Sequence, residues 1–143
     1  MTTIASLLRT KGRDTWHVAP DSTVYDAIKL MADRGIGALL VMDGGKLVGI
    51  VSERDYARKV ALMDRSSRDT PVRDIMTDRV VYVHPQQSVE QCMALMTNKR
   101  IRHLPVMEGD DVVGIVSIGD LVKSLIADRD HLIEQLENYI TGR

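Results

Sequence analysis

Val48-Gly49-Ile50-Val51-Ser52-Glu53-Arg54-Asp55 and Val113-Gly114-Ile115-Val116-Ser117-Ile118-Gly119-Asp120, 65 positions apart, are the same stretch but for Glu53-Arg54 against Ile118-Gly119. Working outward at that offset, Pro20 falls on Pro85, Val24 on Val89, Leu30-Met31 on Leu95-Met96 and Ile36 on Ile101. Val41-Met42 then falls on Val106-Met107 and Gly44 on Gly109, with no gap. Unbroken register over roughly forty residues means two copies of one supersecondary unit.

Each copy carries the same pattern. A short strand ends at Val18 and Pro20. Val24, Ala27, Ile28 and Met31 then recur at helical spacing, behind Thr23 as N-cap. The apolar run Ala38 to Met42 predicts a buried strand, Asp43-Gly44-Gly45-Lys46 a hairpin turn, and Leu47 to Val51 the returning strand. Ser52 opens a second helix, and Val81 to Val122 repeats the series with Ser88 as cap. The predicted fold is α+β: two repeats of three strands and two helices each. One such unit has too little surface to close a core, so the two are expected to pack by pseudo-twofold symmetry.

Ile4, Leu7 and Leu8 mark a short N-terminal helix, and Leu125, Leu132, Ile133, Leu136 and Ile140 a longer C-terminal one. The apolar stripe of the latter either covers its own domain or meets a second chain. The expected division is a helix and linker over 1–14, a first copy over 15–63, a linker over 64–79, a second copy over 80–123 and a C-terminal helix over 124–143.

The 143-residue chain has 44% apolar and 27% charged residues, as a globular domain does. A net charge of −1 gives no footprint for nucleic acid. One cysteine, Cys92, excludes an internal disulfide. No apolar run approaches the roughly 20 residues of a membrane span, and the N-terminus does not read as a signal peptide, so a cytoplasmic location is expected. Aromatics are 3%, with no Phe, so the core must be aliphatic and methionine-rich.

Two readings of the doubled Ser-x-x-Asp stand side by side. As a capping box, the Ser accepts from the N–H three residues on while the acid reaches back, near the positive end of the helix dipole. As a binding site, helix-start N–H groups attract anions and a carboxylate accepts the two hydroxyls of a ribose. One residue can do both.

The Gly-apolar-apolar-Ser-x-x-Asp closing each copy, with Pro20 and Pro85 near the starts and Arg102-His103-Leu104-Pro105-Val106 in the second, resembles the tandem cystathionine-β-synthase (CBS) domain pair, or Bateman module. The resemblance covers Thr15 to Val122. It implies a non-enzymatic regulatory module that binds AMP, ADP, ATP, NAD(H) or S-adenosylmethionine in clefts between repeats, associates as a homodimer, and signals to a downstream protein by conformational or oligomeric change. It implies no catalytic cofactor.

Carried over by position, the resemblance makes Asp55 and Asp120 ribose ligands and puts Ser52 and Ser117 near ribose and phosphate. Ile50 and Ile115 line the adenine slot. Thr15-Trp16 and Val80-Val81 offer backbone groups to the adenine edge, and Arg102 and His103 meet phosphate. Each implied cleft mixes repeats: Asp55 with Val80, Val81, Arg102 and His103, and Asp120 with Thr15, Trp16 and Ala38. Arg102 and His103 interrupt an apolar strand, where a cation is either a solvated edge or a phosphate partner. His103 is expected to strengthen binding as it protonates. The first copy has Gly37-Ala38 there, so the Asp120 side lacks a strand-borne cation. Lys11, Arg13, Arg54 and Lys99 are the candidates to replace it, and spacing does not choose among them.

The remaining candidates are weaker. His17, His84, His103 and His131 lack metal-ligand spacing. Cys92, Met31, Met93 and Met96 read as core, and Trp16 as a partly exposed ring near the cleft. A scaffold or nucleic-acid-linked regulator with vestigial clefts is the alternative function.

Overall fold

The computed structural model describes residues 2–141. The elements in chain order are α1 (Ile4–Lys11), β1 (His17–Val18), α2 (Val24–Arg34), β2 (Ala38–Asp43), β3 (Lys46–Ser52), α3 (Glu53–Tyr56), α4 (Val89–Lys99), β4 (His103–Glu108), β5 (Asp111–Ser117) and α5 (Ile118–Ile140). A π-turn at Ala57–Ala61 follows α3, and a 3-10 turn spans Val72–Asp74. The chain divides into two compact units: Asp14–Val81 forms one, and the residues up to Arg13 join those from Tyr82 onward in the other.

In the Asp14–Val81 unit, the Thr23 hydroxyl accepts the Asp26 N–H and starts α2, and Gly35 in the left-handed region ends it. Strand β1 runs parallel to β2, which pairs antiparallel with β3. Val24, Ala27 and Met31 of α2 pack on Leu39, Val41 and Val51 of the sheet. Each of these side chains larger than Ala27, taken fully out of water, contributes roughly 1.5–3 kcal/mol before entropy is charged against it. Val72 and Ile75, in the segment read as a linker, are also fully buried in this core.

The other unit repeats the plan with one strand fewer. β4 and β5 form a two-stranded sheet, and the expected third strand is reduced to a single bridge, Val83 to Val106. Pro105 explains the loss. In the first copy the Leu40 N–H donates to the Trp16 carbonyl at 3.2 Å. Its counterpart 65 positions on is Pro105, which has no N–H to give.

The segments ahead of each copy are also duplicated, at an offset of 68 rather than 65. Val89 N–H donates to Thr2 O at 2.9 Å, as Val24 N–H does to Thr70 O at 2.9 Å. Ile4 N–H reaches Gln87 O at 2.9 Å, as Val72 N–H reaches Ser22 O at 2.8 Å. Helix α1, which precedes the first copy, therefore completes the second, and residues 70–77 complete the first. Both insertions land on a bare backbone: a Cβ at Gly114 would lie 2.8 Å from Leu8, and one at Gly49 2.6 Å from the Met76 sulfur and 3.0 Å from Thr77 O.

The second helix of the second copy and the C-terminal helix, read as separate segments, are one continuous α5. No Gly or Pro interrupts Leu121 to Ile140, so nothing ends the helix there. Its N-terminal part is packed, with Leu121 fully buried, whereas from Ile126 to Ile140 every residue is exposed. The distal stripe of Leu132, Ile133, Leu136 and Ile140 thus covers nothing among the described residues.

Candidate functional site

Both duplicated motifs form complete capping boxes. The Ser52 N–H donates to Asp55 Oδ2 at 2.9 Å and the Asp55 N–H to Ser52 Oγ at 3.3 Å. The Ser117 N–H donates to Asp120 Oδ2 at 2.8 Å and the Asp120 N–H to Ser117 Oγ at 3.2 Å. The first helical N–H is taken as well, Glu53 by Gly37 O at 3.0 Å and Ile118 by Arg102 O at 2.8 Å. The helix starts are therefore largely satisfied by their own chain, and the carboxylates, not the N–H groups, are what each motif offers a ligand.

Each carboxylate has a lysine, and the two lysines come from different places. Lys59, one turn along from Asp55, sits 3.4 Å from its Oδ1 and donates to Ile75 O at 2.9 Å. Lys11, the last residue of α1, sits 2.6 Å from Asp120 Oδ2 and donates to Ile115 O. The side chains are 17% exposed at Asp55 and 21% at Asp120, so both are reachable from solvent. Burial opposes the charge on Asp120, but the Lys11 ammonium and the Ser117 N–H outweigh it and hold the carboxyl below its ordinary range. With cap and lysine both on Oδ2, Asp120 Oδ1 has no partner among the described residues.

Around Asp55, Ile50 and Ser52 are half-buried, Arg54 is exposed, and Ala38 is buried in β2. Thr15, Val80 and Val81 are half-buried in the same unit. Trp16 is 36% exposed, with the Arg34 guanidinium 3.9 Å from its ring centroid, so one aromatic face is already occupied. Its carbonyl is committed to β2, which narrows what its backbone can offer a base.

In the other unit, Ile115 and Ser117 are half-buried and Arg102 is exposed. His103 departs from the reading of a cationic pair. Burial lowers its pKa, and Lys11 and Arg102 push the same way against Asp120. The ring is thus a neutral imidazole at neutral pH, leaving Arg102 the cation of that pair.

The lysines are what sequence reasoning missed or left open. Lys59 carried a signal, since it stands at i+4 from Asp55. Lys11 is one of the four candidates for a phosphate cation, and its pairing with Asp120 follows only from the packing of α1 on the second copy. Among the described residues no group of three His, Cys, Asp or Glu is arranged for a metal, and no helix is long and apolar enough to cross a membrane.

Comparison with known proteins fits this geometry. The family described as CBS domain matches twice, over residues 12–62 and 72–127. The Arabidopsis thaliana CBS domain-containing protein CBSX3, mitochondrial, is 41% identical over 150 residues, spanning 99% of this chain and 73% of the relative. A protein with CBS domains from Burkholderia ambifaria superposes with a TM-score of 0.86 at 58% identity, covering 89% of this chain and 96% of that one. The CBS domain pair of protein MJ0100, solved with 5′-methylthioadenosine and S-adenosyl-L-methionine, superposes at 0.79 with 25% identity, over 90% of this chain and 98% of that one.

Proposed function

This chain belongs to the CBS domain family as a tandem pair, and from that premise we propose that it is a non-enzymatic sensor of adenosine-containing ligands in which Asp55 and Asp120 hold the ribose. One observation carries the reading. Each carboxylate is fixed by a capping box through Oδ2, and Oδ1 is left for a ligand, unpartnered in Asp120 and only loosely held at 3.4 Å by Lys59 in Asp55. A carboxylate so placed accepts vicinal hydroxyls without leaving its cap. Ile50 and Ile115, one strand turn before each Ser, supply an apolar wall suited to a purine face. The complex of MJ0100 with two adenosine compounds supports the ligand class.

A ligand that favours one arrangement of the protein shifts the population toward it, and a downstream protein reads the result. Catalysis is not part of this reading: the two serine hydroxyls are engaged in their helix caps, and each carboxylate belongs to a separate unit. A scaffold role draws on a different observation, the uncovered apolar stripe of α5. A thermal-shift panel of AMP, ADP, ATP, NAD(H) and S-adenosylmethionine decides between them. Sensing requires that at least one compound raise the melting temperature of the wild-type chain, and that Asp55→Ala and Asp120→Ala together abolish the rise. A flat panel with partner binding intact refutes it in favour of the scaffold.

A further inference from the structure

A groove of about 400 Å³ opens beside Asp120, wholly within the unit of the second copy, between α1 and the N-terminal part of α5. That volume suits a small-molecule ligand. We propose that this groove receives the phosphate of the ligand whose ribose Asp120 holds, and that it selects a nucleoside monophosphate over both the free nucleoside and the triphosphate. This rests on the ribose reading of Asp120.

Counting donors leads to the phosphate. An ammonium has three N–H donors and no acceptor. Lys11 gives one to Asp120 Oδ2 and one to Ile115 O, and its third has no acceptor among the described residues. Lys123, on the Asp120 face of α5, also lines the groove and enters no ion pair among the described residues. Ser6, Thr10 and Ser124, each with a hydroxyl to offer, line the same walls. Two ammonium groups with three hydroxyls make the charge-assisted bonds that a phosphate takes.

The far end of the groove sets the length. Asp128 lies eight residues beyond Asp120, about 12 Å along the helix axis. Both of its oxygens accept from the Thr2 hydroxyl, at 2.8 and 2.6 Å. One phosphate stops at the lysines, whereas a chain of three is carried toward this carboxylate and repelled. Where the second copy has Asp128, the first has the exposed Met63, so this limit belongs to one copy alone.

The test is calorimetric titration of adenosine, AMP and ATP into the full chain carrying Asp55→Ala, which leaves the Asp120 site to report. AMP is expected to bind at least tenfold more tightly than adenosine and ATP. Lys11→Met and Lys123→Met should each reduce the AMP-to-adenosine preference severalfold, and Asp128→Asn should bring ATP to within severalfold of AMP. An unchanged preference in Lys123→Met at wild-type melting temperature overturns the proposal, as does an unchanged AMP-to-ATP ratio in Asp128→Asn. Adenosine binding that survives Asp120→Ala, or no binding at all, instead removes the ribose reading and takes this inference with it.

Discussion

The two copies solve one electrostatic problem in two ways. Asp55 is countered by Lys59 from its own helix turn, whereas Asp120 is countered by Lys11 from a helix more than a hundred residues earlier. At the position equivalent to Lys59 the second copy has Ser124, so the local partner is gone and a distant one stands in. The Lys59 pair stays within the first copy, where the same ammonium also holds the Ile75 carbonyl. The Lys11 pair ties the packing of α1 to the charge on Asp120.

The largest expected effect is on binding. Asp55→Ala and Asp120→Ala should each weaken their site by about 1.5–3 kcal/mol, the scale of hydrogen bonds to a charged group. Calorimetry with AMP checks this, and equal affinities for wild type and both variants would dissolve the functional parallel between the copies. Next comes packing. Gly49→Ala should destabilise by about 1–3 kcal/mol through overpacking, because its new methyl meets a backbone oxygen as well as Met76. Gly114→Ala meets only the pliable Leu8 side chain and should cost less. Urea midpoints rank the two, and a reversed order would mean that the interdigitation is tighter in the second copy.

A smaller difference separates the helix ends. The first copy ends α2 at Gly35 with φ 64°, and the second ends α4 at Arg100 with φ 55°. A side chain there is strained, so Arg100→Gly should stabilise by about 0.5–1 kcal/mol, whereas Gly35→Arg should do the opposite. Acid sharpens the contrast further. The depressed carboxyl of Asp120 contributes stability present above its unfolded value near 3.8 and lost as pH falls through the folded one. His103, kept neutral by burial, adds stability that is full above 6.5 and declines below it as the unfolded chain takes up the proton. Lys11→Met should raise the carboxyl titration of Asp120 in an NMR titration, and a position that does not move would show that Lys11 is not its counter-ion.

The repeat, the hairpins and the helix caps were legible because they are local: Thr23, Ser88, Ser52 and Ser117 each announce a helix within three residues. The core assignments of Cys92, Met31 and Met96 followed from helical spacing in the same way, whereas Met93, read with them, is only half-buried. The missing third strand was also legible in principle, since Pro105 against Leu40 removes one donor. Two features were hidden. The repetition of Ile4, Leu7 and Leu8 as Val72, Ile75 and Met76 escaped because its register slips by three residues from the main offset. Lys11 at Asp120 depends on a contact that spans most of the chain, and no local pattern encodes it. Continuity of α5 was misjudged for the opposite reason: the apolar face changes from packed to bare, though no residue breaks the helix.

The placement of α1 carries a consequence for how the molecule is made. It leaves the ribosome before either copy, yet the surface that buries Ile4, Leu7 and Leu8 belongs to the second copy, the later of the two to be translated. During synthesis the nascent chain therefore trails an apolar segment with no home, and the first copy can mature long before the second. Removing α1 would spare the copy that directly follows it and cripple the later one.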